Sequence, residues 1–171
     1  MEIRRIDRTR EADIRLPNEP FPLFGRMIPA LRDGVWSHTE SLFGQVSEMC
    51  FPEEGYTLEA MPDCLFLGAY EGEICVGLAV LQKAMFRYMY LYDLKGCRAA
   101  RRRGAGSALV REALRLAREA GYRGLYTVGQ DNNLAACRFY LRCGFRIGGC
   151  DTEVYRGTKQ EGKTDILFYL D

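Results

Sequence analysis

The chain has 171 residues, 47% of them hydrophobic and 27% charged, with a formal net charge of +1. That is one globular domain's worth of core, and a balance that excludes a disordered chain and the broad basic face of a nucleic-acid binder. Seven cysteines with no C-x-x-C pair, and a single histidine, His38, predict reduced thiols and no metal centre.

The N-terminal stretch MEIRRIDRTREADIRLPNEP is charged and lacks an apolar core, so it is not expected to be a signal peptide; it holds one short strand over 2–6. PFPLFGRMIPALRDGVWSHTESLFGQVSEMCF mixes aromatics, prolines and glycines and predicts an irregular folded region of short pieces. CLFLGAYEGEICVGLAVLQ carries two apolar runs around Glu71-Gly72-Glu73, which predicts a hairpin over 64–70 and 73–82. RYMYLYDLKG predicts a third strand over 88–95, completing an antiparallel meander. ICVGLAVL is the longest apolar run and is far short of a membrane span. The expectation is a cytoplasmic protein with no membrane and no nucleic-acid partner.

Ala105, Leu109, Ala113, Leu116 and Ala120 recur at helical spacing, widened by Val110, Leu114 and Ala117, while Arg111, Glu112, Arg115, Arg118 and Glu119 fill the opposite face. Gly121 stands where a glycine ends a helix. GLYTVG predicts a strand, NNLAACRFYLRCG a helix closed by Gly144, FRIGGCDTEVY a strand and DILFYLD a last strand. Strands and helices alternating after a meander predict an α/β (α+β) fold, a mixed sheet with helices on its faces.

The opening of the first helix is chemically odd. Arg101, Arg102 and Arg103 run into Gly104-Ala105-Gly106. Arginine has the wrong sign for the positive end of a helix dipole, and glycine is a poor helix former. The Walker pattern is absent, and the dinucleotide fingerprint fails at Leu109, where its third glycine belongs. R-x-x-G-x-G after a strand and before a helix is an anion cradle. Unpaired helical amides meet a phosphate, glycines allow close approach, and arginines clamp oxygens in pairs.

A second pattern follows: Asn133, Ala136, Phe139, Tyr140, Gly144 and Phe145 fit N-x-x-A-x-x-[FL]-Y-x-x-x-G-F. The ordered pair of motifs resembles the GNAT superfamily of acetyl-CoA-dependent N-acetyltransferases. The resemblance implies a mostly antiparallel central sheet with helices on both faces, splayed at the cofactor strand, in a single domain over 1–171. Within it, 1–60 would form the acceptor side and 88–145 the acetyl-CoA core. It further implies that Arg101, Arg102, Arg103, Gly104, Ala105, Gly106 and Ser107 hold the pyrophosphate, that Leu94 and Gly96 offer backbone groups to pantetheine, that Asn133 contacts the cofactor, and that Tyr140 lies near its sulfur.

Three longer segments, FPLFGRMIPALRDGVWSHTE, QDNNLAACRFY and GGCDTEVYRGTKQEGK, are similar to streptothricin acetyltransferases. That narrower resemblance implies acetylation of an antibiotic's β-lysine amine. Two places depart from it: Tyr92-Asp93 stands where those enzymes often have Glu-Asp, and Val128-Gly129 where an acidic residue is common.

Acetyl transfer to an amine needs a neutral amine, a stabilised oxyanion and a protonated thiolate. Asp93 is the candidate base, with a structural carboxylate as the equal alternative. Tyr140 is the candidate acid, with a core aromatic as the alternative. A backbone amide near 94–96 could serve the oxyanion. A cationic acceptor calls for carboxylates, and the candidates are Glu40, Asp93, Asp151 and Glu153, with solvated surface charge as the alternative, above all for Glu153, and with Trp36 and His38 in the acceptor-side wall. The partner is a small-molecule amine, and a homodimer is left open. A protein N-acetyltransferase and a non-catalytic coenzyme A-binding module remain alternatives.

Overall fold

The computed structural model describes residues 1–84 and 86–171. They group into two compact units: Met1–Glu19, Cys50–Leu125 and Asp171 form one, Pro20–Met49 and Tyr126–Leu170 the other.

In the first unit, β1 (Glu2–Arg5), β2 (Cys64–Glu71), β3 (Ile74–Gln82) and β4 (Tyr88–Gly96) lie side by side in that order, each pair antiparallel. Gly72 turns the β2–β3 hairpin with a φ of 63°. Helix α1 (Ala105–Glu119) covers one face of this sheet. Leu109, Ala113 and Ala117 have no exposed surface, as the helical repeat predicts, and Gly121 ends the element at a φ of 86°. The other face is covered by a 3-10 segment over Arg8–Arg15 and by the 50–63 segment. There Ile6, Ile14, Tyr56, Phe66, Leu78 and Val80 form a core cluster. So the second covering layer is not a regular α-helix: its eight residues have non-helical angles at Arg10.

Gly77 explains how closely α1 approaches the sheet, since a Cβ there would come 3.3 Å from Leu109 Cδ1. Leu109→Ala is expected to cost about 2–5 kcal/mol in chemical denaturation, the range for truncating a fully buried leucine.

The second unit corrects one expectation. Residues 20–49 are not irregular but form a long antiparallel hairpin, β5 (Phe21–Arg32) with β6 (Val35–Met49). Its turn is Asp33-Gly34, both in the left-handed region at φ 49° and 77°, which is the Asp-Gly signature of a tight hairpin. Pro22 and Pro29 are tolerated because β5 pairs with one strand only, its other edge meeting the chain locally, where Met27 N–H donates to Asp131 O at 2.9 Å. The same unit holds the Tyr126–Gln130 part of β7 (Gly124–Gln130), with β8 (Arg146–Asp151) and β9 (Asp165–Leu170), in the order β7-β9-β8. Strand β8 stops at Asp151, short of the predicted 145–155. Asp151 Oδ1 accepts from the amides of Glu153 and Val154 at 2.8 and 3.1 Å, turning the chain away. Helix α2 (Leu134–Arg142) packs on β5. Gly25 makes that approach possible, because a Cβ there would meet Ser41 O at 2.7 Å and Leu134 Cδ2 at 2.9 Å. The pairs β1–β2, β2–β3, β3–β4, β5–β6 and β8–β9 are antiparallel, in keeping with the predicted mostly antiparallel sheet.

Candidate active site

Strand β4 carries an irregularity at its centre. Leu81 pairs with Leu91, but Val80 pairs with Asp93, so Tyr92 is an extra residue. Such a bulge bends a strand and redirects the side chains beside it. Past it, Asp93 lies opposite Val80 and Lys95 opposite Leu78, on the face of the Tyr56 cluster. The backbone also has a direction. Cys97 N–H donates to Val76 O at 3.0 Å. By the alternation of an antiparallel ladder, the amides and carbonyls of Leu94 and Gly96 therefore point away from β3.

Asp93 sits in a polar cluster built from segments far apart in sequence. The Tyr56 hydroxyl donates to its Oδ2 at 3.0 Å, and Lys95 Nζ lies 3.7 Å from the same oxygen. Burial pushes the Asp93 carboxyl above the ordinary aspartate range, while Lys95 and the Tyr56 hydrogen bond pull against that shift. Burial and the neighbouring Asp93 and Glu54 carboxylates push the Tyr56 phenol up, so it stays a donor. Tyr92 donates to Glu54 at 2.7 Å and is pushed up to about 12 by that carboxylate and by burial. Sequence reasoning found Asp93 but missed Tyr56, Lys95 and Glu54. Only the Lys95 spacing of two residues along a strand was available as a local signal.

The arginine-glycine stretch lies between β4 and α1. Gly104 is the residue before the helix, at φ 88°, and supplies no side-chain cap; no acidic residue occupies the first turn. Ala108 N–H donates to Gly104 O at 2.9 Å, the first bond of the helix. The amides of Ala105, Gly106 and Ser107 precede it, at the first-turn positions where a helix offers its N–H groups outward. Arg102 has a φ of 63°. Arg101 lies 3.7 Å from Glu19, whose carboxylate also accepts from Arg98 N–H at 2.5 Å, and Arg103 pairs with Glu71 at 3.0 Å. Partly exposed pairs of this kind are worth about 0–1 kcal/mol, little enough for a phosphate to displace.

In the second unit, Asn133 Oδ1 caps α2 by accepting from Ala136 N–H at 3.2 Å. Tyr140 is only 9% exposed. Its ring centroid lies 5.6, 5.5 and 5.3 Å from those of Phe139, Phe145 and Phe168. Gly129 faces this cluster, and a Cβ there would come 3.1 Å from Phe168 and 3.5 Å from Tyr140. The missing acidic side chain at that position is thus a packing requirement.

The expected acceptor residues are not alike. Glu40 is held by Arg138 through both carboxylate oxygens, one at 2.9 Å, which holds its pKa below the usual carboxylate range. Trp36 is half-buried opposite Leu31, whereas His38 is exposed opposite Pro29 and does not pack into a wall. Asp151 lies directly opposite Asp165 in the β8–β9 ladder. Asp165 accepts from Tyr155 at 2.7 Å, and Tyr155 in turn accepts from Gln130 Nε2 at 2.7 Å. Burial first, then the neighbouring carboxylates, push Asp165 up. Among the described residues, no three His, Cys, Asp or Glu side chains could hold a metal ion, and no helix is long and apolar enough to cross a membrane.

A strand bulge, a glycine-opened helix and a mostly antiparallel sheet are the frame of an acyl-transfer fold, and residues 32–145 match the acetyltransferase (GNAT) family. The chain belongs to that family. It is 32% identical to streptothricin acetyltransferase A of Bacillus subtilis over 160 residues, covering 92% of each chain, and 31% identical to streptothricin acetyltransferase of Streptomyces lavendulae over 93 residues, covering 54% and 49%. Its fold is similar to that of a Bacillus anthracis protein assigned as a streptothricin acetyltransferase and crystallised with acetyl coenzyme A. There the TM-score is 0.86 at 26% identity, covering 99% of this chain and 95% of that one.

Proposed function

We propose that this acetyltransferase uses acetyl-CoA to acetylate a primary amine of a streptothricin-type antibiotic, and that residues 1–171 act as a single domain. The observation that carries the reaction class is Asp93: a partly buried carboxylate, its side chain 26% exposed, on a bulged strand whose next backbone groups at Leu94 and Gly96 point away from β3. The cofactor fits this chain's residues. The first-turn amides at Ala105, Gly106 and Ser107, at a helix start with no acidic residue, suit its pyrophosphate, and Leu94 and Gly96 suit its pantetheine arm. When bound, it supplies the acetyl thioester.

Asp93 takes a proton from the incoming ammonium, leaving a lone pair on nitrogen. A raised carboxyl suits that task, because a base works best when its proton affinity approaches that of its surroundings. Tyr140 donates a proton to the departing thiolate, and an amide near 94–96 stabilises the oxyanion. Asn133 contributes by fixing the start of α2 as well as by any cofactor contact. Support for a cationic acceptor comes from the register of Asp151 against Asp165. Directly opposed like charges are unfavourable, and a bound ammonium relieves them. Glu40, already paired with Arg138, is the weaker acceptor-binding candidate, and Trp36 offers an apolar wall.

The test is thiol release from acetyl-CoA against streptothricin, aminoglycosides, polyamines, free lysine and peptides. Streptothricin is expected to be preferred; release with peptides alone would overturn the acceptor assignment. The pH dependence is a further expectation. Asp93 must be ionised to accept a proton, and its carboxyl is raised. Activity should therefore fall as pH drops through a one-proton limb lying above the ordinary aspartate value of about 3.9. A kcat/KM profile flat down to that value would contradict the assignment of Asp93.

A further inference from the structure

A buried carboxylate serves as a base only if it stays charged before the amine arrives, and burial works against that charge. Two groups beside Asp93 act in the opposite sense, and both address the same oxygen. Lys95 lies two residues along β4, so strand alternation puts its side chain on the same face. Its Nζ is 3.7 Å from Asp93 Oδ2, and the side chain is 12% exposed. That placement shields the attraction from solvent far better than a surface pair would be.

Tyr56 comes from the 50–63 segment. Its hydroxyl donates to Oδ2 at 3.0 Å, and its ring centroid lies 5.3 Å from Lys95 Nζ, within reach of a cation–π contact. The ring is 5% exposed and belongs to the core cluster, which holds both partners in place. The other groups acting on Asp93 are the Glu54 carboxylate, which opposes its charge, and the Leu94 amide, which favours it. Tyr92, on the same strand, binds Glu54. From β3, Val80 and Leu78 lie opposite Asp93 and Lys95 on this side, and both are apolar.

We infer that Lys95 and Tyr56 are positioning residues for acetyl transfer: Lys95 keeps Asp93 in its proton-accepting form, and Tyr56 orients the carboxylate through Oδ2. This rests on the reading of Asp93 as the base. The lysine does not touch the acceptor. Its charge lowers the proton affinity of Asp93 before binding, and its replacement acts through Asp93 alone.

The test uses the full chain with ¹³C-labelled aspartate, titrating the Asp93 carboxyl by NMR without ligands. The same variants are then assayed for kcat/KM against pH with acetyl-CoA and streptothricin. Lys95→Met keeps the alkyl stem and removes the charge. Its Asp93 midpoint should rise by about one pH unit or more, a tenfold gain in proton affinity. The acid limb of its rate profile should move equally while the high-pH rate is retained. Lys95→Arg should restore the wild-type midpoint. Tyr56→Phe keeps the ring beside the lysine and removes only the donor, so it too should raise the midpoint, and it serves as the test if the methionine variant does not fold. An unmoved midpoint in Lys95→Met or, failing that, in Tyr56→Phe overturns the inference. Asp93→Asn separates the two ideas. If it retains full turnover, Asp93 is not the base, whatever the titrations give; if turnover is lost but the Lys95 and Tyr56 midpoints do not move, only the positioning role fails.

Discussion

Gly106→Val should abolish measurable acetyl-CoA binding in calorimetry while leaving the protein folded. The fold survives because Gly106 is the second residue of α1, a position of ordinary helical backbone, and valine is no worse a helix former than glycine. Binding does not survive, for a steric reason. In the proposed site, the first-turn amides of α1 can reach a pyrophosphate only if nothing projects from the backbone between them and its oxygens. A β-branched side chain places two methyl groups in that path. A loss of about 10²-fold or more, roughly 2.7 kcal/mol, is the expected scale. Arg101→Ala should be milder, because the amides persist and the Arg101 pair with Glu19 is partly exposed. Unchanged affinity in Gly106→Val would remove the helix opening as the cofactor site.

The second large effect is expected at Tyr140. Tyr140→Phe deletes one hydroxyl and keeps a ring that packs against Phe139, Phe145 and Phe168. Stability and cofactor affinity should hold, while turnover falls on the order of 10²-fold, the usual scale for losing one general acid. Tyr140→Ala is the contrasting control. It empties a nearly buried aromatic site and should cost about 3–5 kcal/mol of stability. An unchanged rate at saturating substrate in Tyr140→Phe would make the residue a packing element, with water protonating the thiolate.

These variants separate two roles that one sequence position can serve at once. At Asn133 the same duality is visible in the geometry. The motif resemblance implies a cofactor contact, and the side-chain oxygen also caps α2. Capping is a local interaction, spanning three residues, so it is available to any chain with Asn at that place. The motif and the cap are therefore compatible readings of the same residue.

Elements whose physics is local were legible. The 64–82 hairpin follows from two apolar runs around a glycine turn, and α1 from its 3.6-residue apolar repeat ending at Gly121. The 20–49 hairpin was missed although Asp33-Gly34 carried its turn signal. Its strands lack clean alternation because much of β6 is exposed, and its two prolines read as breakers. The family resemblance rested on Arg101 to Gly106 and on Asn133 to Phe145, two short patterns that include the start of α1, the cap of α2 and the glycine after it.

What the sequence by itself determined is thus the apparatus of short range: the glycine-opened helix, the capped α2, the strand carrying Asp93, and through their order the acetyltransferase family. The tertiary structure alone decided the electrostatic state of that strand. Tyr56 and Asp93 are 37 residues apart and meet only because the 50–63 segment folds over the sheet face. The Tyr92 bulge depends on how β4 registers against β3. Asp151 and Asp165 oppose each other only once β8 and β9 pair. Burial and charge are sums over neighbours in space, and proton affinity follows those sums rather than the identity of the next residue in the chain.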